Sequence, residues 1–141
     1  MYSAYVLSEE SRKELAVQFP PKYSKFVGHH VTHEFPTERV FFNQRSSRPQ
    51  VPPVQHCVVI SHLDSGDGLE CFVVQVNGDS GRPDKGCYHL TWSLDPEKYK
   101  PVHSNLLIAK AISNASLNKA KYCLPFLDNP VLLSTTPKLL G

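Results

Sequence analysis

The chain of 141 residues is poor in cysteine and carries little net charge. Its four cysteines, Cys57, Cys71, Cys87 and Cys123, lie far apart and form no CxxC pair. A disulfide framework is possible but not indicated, and we expect reduced thiols in a cytoplasmic protein. The net charge of +2 is compatible with a small anionic ligand and does not indicate a protein dedicated to coating nucleic acid.

Long apolar segments are also missing. No run approaches the ~20 apolar residues that a membrane-spanning helix needs, so no membrane association is expected. The first residues, MYSAYVLSEESRK, lack a basic start followed by an apolar stretch, and no signal peptide is expected. The ordinary apolar fraction and the plentiful aromatic residues instead predict one soluble globular domain over residues 1–141.

The hydrophobic pattern predicts strands that alternate with two helices. Strands are predicted at 2–7, 26–35, 54–63, 69–76, 87–94 and 130–136, from alternation and β-branched residues. Helices are predicted at 8–19 and 104–122, with Ser8 and Ser104 as their N-caps. Residues 39–53 are expected to form a loop or flap, and Asp64–Gly68 a hairpin turn. This order predicts an α+β domain with an antiparallel sheet.

Two predicted strands carry the same triplet, His-apolar-Thr. The first is His30-Val31-Thr32 and the second, 59 residues later, is His89-Leu90-Thr91. Residues two apart in a strand share a face, so each strand presents an imidazole beside a hydroxyl on one face and apolar residues on the other. Chance predicts roughly 0.25 such triplets in a chain of this composition, so two copies carry some risk of coincidence.

Two imidazoles and two hydroxyls that meet in a cleft suit the cleavage of a phosphodiester. One histidine can act as the base that deprotonates the nucleophile, and the other as the acid that protonates the leaving oxygen. The two threonines can donate hydrogen bonds to the phosphate oxygens, where the transition state holds its charge. His30 and His89 are therefore the candidate catalytic residues, with Thr32 and Thr91 as candidate phosphate ligands. The pattern does not establish which histidine is the acid.

Paired His-apolar-Thr triplets on two strands, with an opening SAYVL strand and a helix before the first, resemble the 2H phosphoesterase superfamily of LigT-like 2′-5′ RNA ligases and cyclic phosphodiesterases. The resemblance implies antiparallel sheets in two pseudo-symmetric lobes around a central cleft, with the helices outside. It also implies a metal-independent phosphodiesterase without a cofactor. The substrate would be a cyclic nucleotide, a cyclic oligonucleotide signal or an RNA end with a 2′,3′-cyclic phosphate.

The short distance between the motifs, with no predicted helix between them, resembles the compact members of the superfamily. Some of these are viral and destroy nucleotide messengers of host defence, which implies the host cytoplasm as their location. No obligate protein partner is predicted.

Other residues have both a functional and an ordinary interpretation. The loop 77–86 is a turn, or it brings Arg82 and Lys85 to the phosphate. Tyr5 stacks on a base or belongs to the core, and Glu34 orients His30 or is solvated. Trp92 is expected in the core.

A metal site is not predicted. His29 and His33, with His56, His62 and Cys57, are the candidate ligands. On a strand His29 and His33 lie too far apart to bind one ion, and no carboxylate or thiolate spacing completes a zinc set. Two other functions stay open: a nucleotide- or RNA-binding module without catalysis, and an interaction protein in which the triplets are coincidental. In the last case the two strands should not be neighbours.

Overall fold

The computed structural model describes residues 2–35, 51–53, 55–83, 86–117 and 126–141. Within these ranges the strands β1 to β8 are Tyr2–Leu7, Lys25–Phe26, His30–Glu34, Cys57–Asp64, Leu69–Val76, His89–Leu94, Phe126–Leu133 and Thr135–Leu140. The helices α1 and α2 are Glu9–Gln18 and Ser104–Leu117, and a short 3-10 turn, Pro101–His103, precedes α2.

The strands form one curled sheet, and every pairing between them is antiparallel. Its strand order is β7-β4-β5-β6-β3-β1-β8, with β2 paired to β6. The α+β class with an antiparallel sheet is therefore confirmed. Two pseudo-symmetric lobes stay a prediction, since the described strands all belong to this one sheet.

Ser134 is the point where the chain passes from one end of the sheet to the other. It alone separates β7, which pairs with β4, from β8, which pairs with β1. Its N–H donates to Ser11 Oγ at 2.6 Å, and its carbonyl accepts from the Ser8 N–H at 2.8 Å. The tail therefore curls the sheet and fastens it to the first turn of α1.

The core fills the inner face of the curled sheet. Leu15 of α1 and Val31, Leu90 and Trp92 of the central strands are fully buried there. Full burial of each such side chain stabilises the fold by about 1.5–3 kcal/mol. Trp92, expected in the core, is confirmed there, and its indole N–H donates to the Phe19 carbonyl at 2.8 Å.

Gly28 divides the predicted strand 26–35 into β2 and β3. Its φ is +45°, and a Cβ at this position would lie 2.6 Å from Cε1 of Phe26 and 2.9 Å from Cζ3 of Trp92. Glycine alone adopts this conformation without strain and without overlap with its neighbours.

The pairing with β6 changes register across this break. Phe26 pairs with Ser93, whereas Val31 pairs with Leu90, so the four residues 27–30 stand opposite only two residues of β6. The extra backbone lets the side chains of two consecutive histidines contact each other, as described below.

Helix α2 covers part of the outer face of the sheet. Ile108 is its anchor and packs in a second cluster with Leu63, Cys71 and Val73. Ser104, the first residue of α2, is fully buried and bonded to Thr91 of β6. The start of α2 is thereby fixed against the strand that carries the second triplet.

Most predicted elements are confirmed, with three differences. Ser8 caps α1 as expected, and the hairpin turn joins β4 to β5. The tail holds two strands instead of one, the strand at 26–35 is broken, and β6 begins at His89. Residues 51–53 of the predicted flap have no regular structure; the rest of the flap and the end of the second predicted helix lie outside the described residues. Cys57, Cys71 and Cys87 are free thiols, and Cys123 is not described.

Candidate functional site

The two triplets lie side by side at the centre of the sheet. Val31 of β3 pairs with Leu90 of β6, and both side chains are fully buried in the core. The flanking residues point to the other face, where His30, Thr32, His89 and Thr91 line one cavity of about 350 Å³. Coincidental triplets were expected on strands that are not neighbours, whereas β3 and β6 are neighbours in the sheet.

The hydrogen bond of His89 determines which of its nitrogens is available. Nδ1 lies 2.8 Å from the Cys87 carbonyl oxygen, which can only accept, so Nδ1 carries a proton. In the neutral ring, Nε2 then holds an unshared electron pair. Burial lowers the pKa of His89, the bond to Cys87 opposes this, and the charge of Arg82 lowers the pKa further.

His30 has protein partners at both nitrogens. Nε2 lies 3.2 Å from the Tyr2 hydroxyl, and Nδ1 lies 2.9 Å from Nδ1 of His29. Burial lowers the pKa of His30 to about 4, and the nearby His29 and His89 lower it as well. His30 and His89 line the same cavity.

Burial favours the neutral form of His30 and His89, because it lowers the pKa of both imidazoles. A bound phosphodiester carries a negative charge, which favours the protonated form of a neighbouring imidazole. The cavity thus suits an anion, whose binding raises the pKa of both His30 and His89.

The two threonines are not equivalent. The hydroxyl of Thr91 donates to the Pro101 carbonyl at 3.3 Å and lies 2.9 Å from Ser104 Oγ, and the residue is 7% exposed. Thr32 is partly exposed, and its hydroxyl has no hydrogen-bond partner among the described residues. Thr32 is free to donate to a ligand, whereas Thr91 holds the start of α2.

Arg82 lies at the cavity with the two histidines. Its guanidinium stands 5.4 Å from the centre of the Phe35 ring, and its charge acts on His89. A Cβ at Gly86 would lie 2.6 Å from the guanidinium Nη2. The absence of a side chain at Gly86 therefore gives Arg82 its position. Lys85, the other predicted cation, lies outside the described residues.

Tyr5 does not line the cavity of the two triplets but a second one, of about 390 Å³, with His33 and Arg82, and its base-stacking role stays a prediction. It pairs with Val31 and shares the core face, it is 1% exposed, and its hydroxyl donates to the Pro53 carbonyl at 3.0 Å. The pKa of the Tyr5 phenol is raised well above the usual value, mainly because the side chain is buried. The alternative interpretation of Tyr5 as a core residue fits the structure.

A bulge between β1 and β3 reverses the alternation that the sequence predicts after Thr32. Ala4 pairs with Thr32, but Ser3 pairs with Glu34, so β3 holds one extra residue there. Glu34 therefore does not share the face of His30. Phe35 lines the cavity instead.

Phe35 and Tyr2 are cavity residues that the sequence analysis missed. Their ring centroids are 5.1 Å apart. Strict alternation places Phe35 on the core side, so no local signal identifies it. The position of Tyr2 could be predicted, because strand alternation places it on the face opposite to Ser3 and Tyr5, which belong to the core side.

A larger cavity, of about 430 Å³, lies between the hairpin turn and α2. Its carboxylates are already bonded: Asp64 to Lys22 and Tyr23, and Asp67 to Tyr99. An acidic rim disfavours a phosphate. The cavity of the two triplets is the candidate site for an anion, because it combines Arg82 with both triplet imidazoles.

No family model, no curated protein and no solved structure matches this chain. Within the described ranges, no three His, Cys, Asp or Glu side chains are grouped as they are around a metal ion. No helix in the same ranges has the length and apolar character needed to cross a bilayer.

Proposed function

We propose that the chain is a phosphodiesterase of the 2H type, which hydrolyses a nucleotide phosphodiester by acid-base catalysis with two histidines. The supporting observation is that one cavity is lined by residues from two distant segments of the chain, His30 and Thr32 from the first and Arg82 and His89 from the second. Candidate substrates are a cyclic nucleotide, a cyclic oligonucleotide and an RNA 2′,3′-cyclic phosphate, in the cytoplasm of the cell or of a host.

His89 is the better base. Its Nδ1–H is held by the Cys87 carbonyl, so its Nε2 accepts the proton of the attacking water while oxygen bonds to phosphorus. His30 belongs to the acid side, where the leaving oxygen takes a proton as the bond to phosphorus breaks. Arg82 and Thr32 donate to the non-bridging oxygens and stabilise the charge of the transition state.

Turnover by single-residue variants tests this proposal. The wild type is incubated with cyclic nucleotides, cyclic di- and trinucleotides and RNA ends in excess chelator, and phosphomonoester release is measured. We expect His30→Ala and His89→Ala each to lose about 100-fold or more, the usual share of a general acid or base. His56→Ala, an exposed histidine outside the cavity, is the matched control and should keep full activity. Retained turnover in either cavity variant contradicts the assignment.

A nucleotide-binding module without catalysis is the second candidate. It is favoured by the neutral state of both histidines and by the bonds that occupy both nitrogens of His30. Calorimetric titration of the same ligands distinguishes the two functions. Binding that persists in a His30→Ala, His89→Ala double variant, with no product formed by the wild type, supports the binding module.

A further inference from the structure

His30 is the middle member of a hydrogen-bonded chain that leads from the cavity to solvent. Tyr2, which lines the cavity, contacts Nε2 of His30, and His29, which is exposed, contacts Nδ1. The planes of the two imidazoles are nearly perpendicular, at 83°, with 5.1 Å between their centroids. Tyr2 carries the chain on from Nε2 of His30 to the lining of the cavity.

We propose that Tyr2, His30 and His29 form a relay that carries a proton from solvent to the leaving oxygen of the substrate. The inference rests on the proposed phosphodiesterase and identifies its acid side more closely. Tyr2 is the catalytic residue that touches the substrate, and His29 is a positioning residue that acts through His30.

The protons and charges of the relay balance. At the start, His29 carries the extra proton and donates Nδ1–H to Nδ1 of His30, which donates Nε2–H to the Tyr2 oxygen. When the bond between phosphorus and the leaving oxygen breaks, that oxygen keeps the electron pair and takes the hydroxyl proton of Tyr2. Tyr2 takes the Nε2 proton of His30, and His30 takes the Nδ1 proton of His29. His29 ends neutral, and solvent protonates it again.

The surroundings disfavour storage of the extra proton on His30 itself. The charged or titratable groups that face His30 are Tyr2 from β1, His29 from the preceding loop, His89 from β6 and Arg82 across the cavity. Burial disfavours a positive charge on His30, and the neighbouring His29 and His89 disfavour it further. A charge on the exposed His29 is hydrated.

The backbone break at Gly28 supports the arrangement. The two extra residues opposite β6 let consecutive histidines contact each other, which regular alternation would prevent by pointing them to opposite faces. The His29 carbonyl accepts from the Leu7 N–H at 3.0 Å, so β1 holds this backbone in place.

Nitrogen-15 NMR of the full-length protein tests the relay without substrate. In the wild type we expect one fixed tautomer of His30, with ring shifts that follow the titration of His29. In His29→Asn, the amide can still bond to His30 but cannot carry the proton, so the tautomer stays fixed and the titration disappears. His29→Ala and Tyr2→Phe release the tautomer, whereas the control His56→Asn changes neither property.

Turnover tests the catalytic use of the same chain. His29→Asn and Tyr2→Phe should lower kcat about 10-fold or more at neutral pH, with KM changed less than about twofold. In a plot of kcat against pH, His29→Asn should also remove the part of the curve that depends on protonation of the relay. The relay alone is overturned if the wild type turns over substrate but these variants change neither the NMR shifts of His30 nor the pH profile of kcat. A wild type without turnover overturns the phosphodiesterase, and the relay with it.

Discussion

At the scale of single residues, the cavity depends on what stands next to each functional group. His89 and His30 belong to the same triplet pattern, yet the carbonyl of Cys87 leaves one nitrogen of His89 open, while Tyr2 and His29 occupy both nitrogens of His30. The triplets predicted two imidazoles that meet at one cavity, and His30 and His89 do line one cavity. The different surroundings of the two rings come from neighbours that the pattern does not contain.

Gly86→Ala should weaken phosphate binding without unfolding the protein. The new methyl group would lie 2.6 Å from the Arg82 guanidinium, a flexible group that must then move away. We expect the Kd for inorganic phosphate to rise about tenfold, or about 1.4 kcal/mol, by calorimetry. Gly81→Ala is the matched control, because the nearest atom to its added Cβ would be Asp79 Oδ1, at 3.4 Å. If Gly86→Ala weakens binding equally in an Arg82→Ala background, the displacement account is wrong.

The two threonines should separate stability from binding. Thr91→Val removes the bonds to Pro101 and Ser104, so the free energy of unfolding in urea should fall by about 1–3 kcal/mol. Thr32→Val should stay within about 0.5 kcal/mol of the wild type, as for other substitutions that break no internal bond, but should bind phosphate more weakly. The reverse pattern would show that Thr91, and not Thr32, meets the ligand.

At the scale of elements, alternation and turn residues identified most strands and both helices. Alternation could not show where β3 gains a residue against β1 or where β2 and β3 separate, because bulges depend on pairing with distant strands. These two irregularities decide that Phe35 enters the cavity and that His29 contacts His30. The triplets and Arg82 could therefore be predicted from the sequence, whereas Phe35 and the contact of His29 with His30 could not.

Gly28→Ala should destabilise the protein strongly. It combines a left-handed backbone with overlap against Phe26 and Trp92, each of which costs about 1–3 kcal/mol. Gly78→Ala shares the positive φ, at +81°, but meets nothing within 4 Å, so it should lose only about 1 kcal/mol. Urea unfolding of both variants measures the difference, and equal losses would show that packing at Gly28 is unimportant.

At the scale of the whole molecule, one curled sheet holds the core on one face and the cavity on the other. The local pattern could not show that the tail forms two strands at opposite ends of this sheet, because Ser134 between them is bonded to Ser8 and Ser11, which are distant in the sequence. Both triplets lie on the central strands β3 and β6, so the histidines are held near the most buried part of the fold.

The stability of the molecule should depend on pH through its cavity. The pKa of His30 in the folded chain is about 4, against about 6.5 for an unperturbed histidine, and the pKa of His89 is also lowered. The unfolded chain therefore binds more protons, and the free energy of unfolding should fall as pH decreases from about 6.5 toward 4. Unfolding followed by Trp92 fluorescence measures this slope. His30→Gln should reduce it and His56→Gln should not; equal slopes in all three proteins would contradict the assignment.

The central claim is that one phosphate lies between His30 and His89. Titration of the full-length protein with inorganic phosphate, followed by the NMR signals of both imidazoles, tests it most directly. The account predicts that His30 and His89 respond with one common saturation curve, that the pKa of each rises, and that the exposed His56 does not respond. A response from only one of the two cavity histidines, or from neither, would contradict it.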